Sequence, residues 1–348
     1  MRIETWNISS ESGGFHFGRH GLGQEETAIA MPSDSLFAAL VNRLAIGSGV
    51  QAVETFIAPF LLGSPPFALS STFPFAGDVR FFPVPLVAVH DTSAESQAKD
   101  YKRVQFVSEG LFRQLLNGQT MTDVFAAALK PMGGRLLVST DEIASLPAAI
   151  RNEESPVWSE EIRPRVTLGR VAQNSSIYFT GRVTYAKDCG LWFGVYWIRE
   201  DDPLKIQLHN LFADLGDAGL GAERSVGFGV CKFIQKNALD LPDAGNQPWV
   251  SLSRYLPSED ETGALTWEKA AYRIVSVGGW LDSPSLRGQR RRSVNLIEEG
   301  ATLGTVPHPI PGALVDVRPR YSGKADLPGH PVYRSGLALA VGWKGGLR

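Results

Sequence analysis

The sequence predicts an α+β fold built as about two units. Three observations carry this. Residues 2–8, RIETWNI, read as a strand, and an apolar stripe of Leu36, Phe37, Leu40, Val41 and Leu44 follows at helical spacing. Residues 203–219 place Leu204, Leu208, Leu211, Phe212 and Leu215 at the same spacing. They then run through GLGAERSVGFGV into a strand-like tail. Helix, glycine loop, strand is the order that ends a ferredoxin-like βαββαβ unit. Finally, 348 residues with 43% hydrophobic side chains suffice for a sizeable core and exclude a disordered chain.

Taken in order, Ser33 is the expected N-cap of the first helix, with Asp34 favourable in its first turn. Residues 63–90 hold SPPF, FPF and FFPVPL. Prolines deny ladder hydrogen bonds, so this stretch reads as loop and edge strand. Residues 91–160 are polar, with one helical piece near 122–130, and 63–160 reads as an insertion. SSIYFTGRVTY and LWFGVYW alternate well enough to pair, with Lys187, Asp188 and Gly190 in the turn. Residues 236–266 have linker composition. AAYRIVSVGGWL (270–281) then reads as the first strand of a second unit, and Gly300 and Gly304 hint at duplication without a strict repeat. The expected organisation is an N-terminal ferredoxin-like domain over 1–238, with its insertion around 63–160, and a C-terminal one over 248–348.

The loop at 219–229 is the strongest chemical signal. Gly219, Gly221, Gly227 and Gly229 surround Arg224 and Ser225. Glycine reaches positive φ and lets backbone approach a phosphodiester closely. Successive N–H groups cradle an anion, and arginine adds a planar fork for phosphate oxygens. The lysine–hydroxyl pair of a P-loop is missing, and a dinucleotide fingerprint would open a helix rather than a strand. The alternative is an ordinary connection with a glycine stop.

Two basic segments join it. SPSLRGQRRRS carries Arg287, Arg290, Arg291 and Arg292, suited to a phosphate backbone or to a solvated loop. Arg163, Arg165 and Arg170 lead into the strand pair. Arg163 and Arg165 share a face of an extended segment, for RNA or for ion pairs with Glu160 and Glu161. Phe15, Phe17 and Phe228 lie in glycine-rich segments where exposure would let bases stack. Net charge is only −2, so any nucleic-acid site is a local basic face. The two cysteines, Cys189 and Cys231, make neither a metal-ligand spacing nor a disulfide framework, and no cofactor is expected. The N-terminus shows no secretory pattern and the longest apolar run is far short of a span, so a cytoplasmic protein without membrane contact is expected.

The spacing GxGxxRSxGxG after a helix and before an apolar strand resembles the glycine-rich loop of the RAMP superfamily of CRISPR proteins. FHFGRHGLGQEETAIAMPSDSLFAAL (15–40) is similar to the N-terminal block of the fourth subunit of the type III-A Csm effector complex. Ser33, Asp34, Leu36, Phe37, Ala39 and Leu40 match that block, and Pro32 stands where the family has a histidine. RPRVTLGRVAQNSSIYF (163–179), GGWLDS with RRRSVNLIEEGATLG, and HPVYRSGLALAVGW resemble its later blocks.

The resemblance implies two ferredoxin-like domains and a non-catalytic subunit that holds the 5′ repeat-derived handle of the crRNA. It implies as partners the large polymerase-like Cas subunit and the RAMP backbone subunit, with target RNA met indirectly. It also implies a thumb or hairpin that wedges against the guide–target duplex, which spacing alone does not locate. The RNA contacts expected are Ser33, Arg19, Arg163, Arg165, Arg170, Gly221, Arg224, Ser225, Gly227, Phe228, Gly229, Arg287, Arg290, Arg291 and Arg292. The alternatives are a metal-independent crRNA-processing endoribonuclease using His16 or His20, and the equivalent subunit of another type III subtype.

Overall fold

A computed structural model describes residues 1–11, 13–18, 25–86, 98–168, 175–281, 289–319 and 329–345. The chain opens with β1 (Arg2–Ser10) and the long helix α1 (Ser33–Leu61), broken at Gly49 (φ 81°). Next come β2 (Phe67–Leu69), β3 (Phe73–Ala76), β4 (Val79–Pro83), β5 (Phe106–Ser108), α2 (Glu109–Leu116) and β6 (Leu136–Leu137). The long strands β7 (Trp158–Leu168) and β8 (Ser175–Tyr185) precede β9 (Cys189–Trp197), α3 (Asp202–Ala218) and β10 (Cys231–Asp240).

One sheet runs β10-β1-β9-β3-β4-β5-β6, with β2 also beside β9. β1 pairs antiparallel with both β9 and β10, and β9 pairs antiparallel with β3. With the second strand split into β2 and β3, β10-β1-β9-β3 is the 4-1-3-2 order of a ferredoxin-like βαββαβ unit. The class is α+β, as the sequence predicts. Helices α1 and α3 lie together and are tied by Arg43 Nε to Asp214 Oδ2 at 2.7 Å. Trp6, Phe193 and Phe233 stand from the sheet into α3, with Phe212 at 5.0, 5.2 and 5.5 Å between ring centroids. Full burial of each such ring is worth roughly 1.5–3 kcal/mol.

Two readings of strand pairing are corrected. The strand 175–185 does not pair with 191–197; β8 pairs with β7 over its whole length as a separate hairpin. β9 is apolar on both faces and buried through most of its length, which suits an inner strand covered on both sides. The proline-rich stretch is also not loop: β2, β3 and β4 are almost wholly buried sheet strands. Pro74 stands opposite Leu191 in the β3–β9 ladder but outside the residues at which β3 pairs with β4, and Pro83 ends its strand.

The last hundred residues form short strands. β11 (Trp249–Ser251) is followed by the small helix α4 (Glu259–Ala264), and the ladder β12 (Ile274–Val277) with β13 (Val294–Ile297) comes next. β14 (Thr302–Leu303) and β17 (Ala340–Gly342) flank β11, and β15 (Leu314–Asp316) pairs with β16 (Tyr333–Ser335). The first strand here is therefore β11, not 270–281. A three-residue strand inside a polar stretch shows too little alternation to be seen in sequence. This part docks on the large sheet: Leu252, Leu337, Leu339 and Val341 join the main core, and Ser253 Oγ donates to Leu69 O at 2.7 Å.

α1 is long and apolar enough to cross a membrane by length and composition. Here it is broken at Gly49, and Leu36, Phe37, Leu40 and Leu44 are buried in the protein core. Ser33 is its first residue rather than its cap: Pro32 precedes the helix, and the Ser33 hydroxyl accepts the Arg254 N–H at 2.9 Å.

Candidate nucleic-acid interface

α3 ends where Gly219 adopts φ 89°, and the chain then folds back through Gly221, Gly227 and Gly229, all near φ +90°. L-residues avoid this region, so four glycines fix the loop. It closes on itself through Leu220 N–H to Gly229 O at 2.9 Å. It is held to the N-terminal segment by Ala222 N–H to His16 O and Gly229 N–H to Gly14 O, both 2.9 Å. A Cβ on Gly221 would lie 2.5 Å from His16 O, and one on Gly229 would strike Leu220 O. Between these anchors Arg224–Val226 form one 3₁₀ turn, and Arg224, Ser225 and Gly227 are exposed. The Arg224 stem lies along Gly219, whose missing Cβ leaves it room.

The expected exposure of the nearby phenylalanines does not occur. Phe15 and Phe17 are buried and stacked at 5.2 Å, and Phe228 is 4% exposed. Phe228 instead forms the floor beneath Arg165, whose guanidinium carbon lies 5.1 Å from the ring centroid.

Arg165 comes from the β7–β8 hairpin, which is two-faced. Register puts Val166 opposite Ile177, Pro164 opposite Phe179 and Ile162 opposite Gly181 on one face. Ile162, Val166, Ile177 and Phe179 are exposed. The other face carries Arg163, Arg165 and Arg182 and turns toward the glycine loop. Arg182 donates to Gly13 O at 3.1 Å and pairs with Glu161 at 2.7 Å. Arg163 pairs with the same carboxylate at 2.9 Å. Hydrogen bonds from Arg182 and then Arg163 hold the Glu161 carboxyl below its ordinary range. Glu160 pairs elsewhere, with Arg135 at 3.0 Å. The hairpin base is pinned by Phe15, which bridges Val183, and by His16 Nδ1 against Gly181 O at 2.7 Å. Loop, N-terminal segment and hairpin thus meet at one place, with Arg163, Arg165 and Arg224 around it.

Other expected contacts lie apart. Ser33 is buried under Arg254. Arg19, Arg170, Arg287 and His20 lie outside the described residues. Arg291 and Arg292 are turned onto backbone carbonyls, of Gly278 and of Asp316 and Arg318 respectively. Burial, reinforced by the Arg334 charge, pulls the Arg291 guanidinium down to about 10. Arg290 is exposed and stacks on Trp280. Among the described residues no three His, Cys, Asp or Glu side chains gather as a metal site would require.

Sequence reasoning missed three features here. One is the β7–β8 pairing, whose signal was the matched length of two alternating segments. Another is Trp280. The last is the cluster of buried Asp34 and Arg334 with half-buried Arg254 and Glu299, whose members lie too far apart in sequence for spacing to connect them.

Comparison with known proteins now bears on this geometry. Residues 244–343 match the family model of the CRISPR Csm4 C-terminal domain. A "CRISPR system Cms protein Csm4" of Thermococcus onnurineus (strain NA1) is 26% identical over 281 residues, 79% of this chain and 82% of the relative. The chain is similar to Csm4 proteins of CRISPR systems. A chain of the Csm3–Csm4 subcomplex of the type III-A CRISPR-Cas interference complex superposes with TM-score 0.67 at 17% identity, covering 98% of this chain and 99% of its own. A chain of the Csm1–Csm4 cassette in complex with pppApA superposes with TM-score 0.57 at 18% identity, covering 99% of each. Those two share the fold. The sequence likeness to Csm4 spans both the ferredoxin-like sheet and the C-terminal short strands.

Proposed function

We propose that this chain is a non-catalytic RNA-binding subunit of a type III-A CRISPR complex, acting in antiviral defence in the cytoplasm. In this reading it anchors the 5′ repeat-derived handle of the crRNA. It also links the large polymerase-like Cas subunit to the first backbone subunit. The observation that carries the reading is the convergence of the four-glycine loop, its exposed Arg224, and the arginine face of the β7–β8 hairpin. Rigid positive-φ backbone brings N–H groups close to phosphate, and the arginines supply charge and planar hydrogen bonding. Phosphate contacts would fix the handle's position and a few base contacts its identity.

The exposed apolar face of the same hairpin supports its assignment as the thumb that wedges against the guide–target duplex. The apolar side chains at 162, 166, 177 and 179, with the Phe179 ring among them, present surface to unstacked bases and no charge to repel them. The division into 1–238 and 248–348 fits the change from one long-stranded sheet to short ladders. Partner contacts are inferred from relatives found in Csm3–Csm4 and Csm1–Csm4 assemblies.

The nuclease alternative needs a histidine at a phosphodiester. His16 is 5% exposed and its Nδ1 is engaged with Gly181 O, which favours a structural role. Incubation with repeat RNA in EDTA tests this directly, since cleavage there would establish the enzyme and remove the non-catalytic reading.

The deciding experiment is sequencing of small RNA that co-purifies with the tagged protein from its host. Guides sharing one 5′ repeat-derived end, together with large CRISPR subunits, are the expected result. RNA absent or random in sequence would overturn the handle assignment.

A further inference from the structure

The basic run 290–292 contains two kinds of arginine. Arg291 and Arg292 brace the backbone, as described above. Arg290 is exposed and, among the described residues, makes no ion pair; its guanidinium carbon lies 4.9 Å from the centre of the Trp280 indole. The two residues face each other across an isolated antiparallel bridge beyond the β12–β13 ladder. Trp280 is 58% exposed, whereas Trp158, Trp192 and Trp249 are fully buried. An indole held in water has no packing role to explain it. The indole therefore meets the Arg290 cation and still presents more than half of its surface to solvent.

We propose that Trp280 is a stacking platform for an unpaired RNA base, with Arg290 fixing the indole and meeting the adjacent phosphate. This rests on the RNA-binding reading above and adds a second contact site to it. Every base has a π-face, so the platform takes any single-stranded nucleotide, while a paired and already stacked base is refused. The local charge favours a polyanion over an apolar protein segment: exposed Arg290 lies over the ring, and Arg291 packs against Gly279 beside it.

The test uses the full chain and fluorescence anisotropy with a labelled mixed-sequence single-stranded RNA and the same sequence as a duplex. Trp280→Ala is expected to weaken single-strand binding by about 5- to 150-fold, the range for removing one stacked base. Trp280→Phe is expected to restore most of the affinity, because a phenyl ring also stacks. Duplex binding should change little. The salt slope should stay unchanged in Trp280→Ala and fall in Arg290→Ala. Wild-type single-strand affinity retained by Trp280→Ala overturns the proposal. So does a variant that keeps RNA affinity but loses association with its Csm3-like or Csm1-like neighbours, which would assign this face to a protein partner. Absence of any RNA binding by the wild-type chain would instead overturn the RNA-binding reading itself, and this inference with it.

Discussion

Asp34 and Arg334 stand 300 positions apart, yet Arg334 Nη1 donates to Asp34 Oδ2 at 3.0 Å in the interior. Asp34 is 1% and Arg334 8% exposed. The contact ties the first turn of α1 to β16, and so the N-terminal βαββαβ unit to the short-stranded C-terminal part. Burial lowers the Arg334 guanidinium below its ordinary value, and the Asp34 charge opposes that shift. A second, half-buried pair, Arg254 Nε with Glu299 Oε1 at 3.0 Å, lies beside it, and Ser71 donates to the same Glu299 oxygen at 2.5 Å.

Removing one partner leaves a buried charge without compensation, which costs about 3–5 kcal/mol. Asp34→Ala is therefore expected to lower the urea midpoint strongly. Replacing both residues with apolar ones of similar volume, Asp34→Leu with Arg334→Met, is expected to recover most of the loss, because the desolvation of both ions is then avoided. If Asp34→Ala leaves the midpoint unchanged, the pair does not join the two parts.

The glycine loop makes a graded prediction. Gly221 and Gly227 both have φ above +90°, but only Gly221 has a neighbour, His16 O, where a Cβ would fall; the space at Gly227 is open. Gly227→Ala should cost about 1–2 kcal/mol of backbone strain alone. Gly221→Ala adds a backbone clash and should destabilise more, as thermal melts of the two variants would reveal. Equal losses would mean that strain, not close approach, sets both positions.

The ferredoxin-like unit was legible because its signals are local. A strand at 2–8, a stripe on α1, helical spacing in α3 and a glycine stop each announce themselves within a dozen residues. What failed was pairing over distance. β9 follows β8 after a short turn, so a hairpin was the natural reading. Leu191 to Val195 are buried on both faces, however, which requires an inner strand between β1 and β3. The phosphate loop was legible for the same local reason. The arginines were only partly so, because composition does not distinguish Arg290, which faces water, from Arg291 and Arg292, which hold carbonyls.

Arg224→Ala should weaken binding of handle RNA while leaving circular dichroism native, since Arg224 is an exposed residue on a loop fixed by glycines. Removing one arginine–phosphate interaction should also reduce the slope of log affinity against log salt, by about 0.7 for a single strand. Arg165→Ala should do the same and also free the Phe228 ring face. A slope identical to wild type in both variants would separate this cluster from the RNA backbone.

The two cysteines give a pH-dependent test of the core. Burial pushes the Cys189 thiol up to about 12, aided by Asp188. Burial likewise takes Cys231 to about 12, aided by Glu11 and Asp217. Thiolate is the reactive form, so neither should react with a thiol reagent at pH 8 in the native protein, and both should react once it is unfolded. The stability consequence has a definite sign. Above pH 9 the unfolded thiols ionise while the folded ones keep their protons, so the folded state binds more protons and stability falls as pH rises from about 9 to about 12. Replacing both with alanine should flatten that part of the curve, measured as the urea midpoint against pH. Rapid labelling of the native wild type at pH 8 would mean that the sheet edge at Cys231 or the turn at Cys189 opens to solvent.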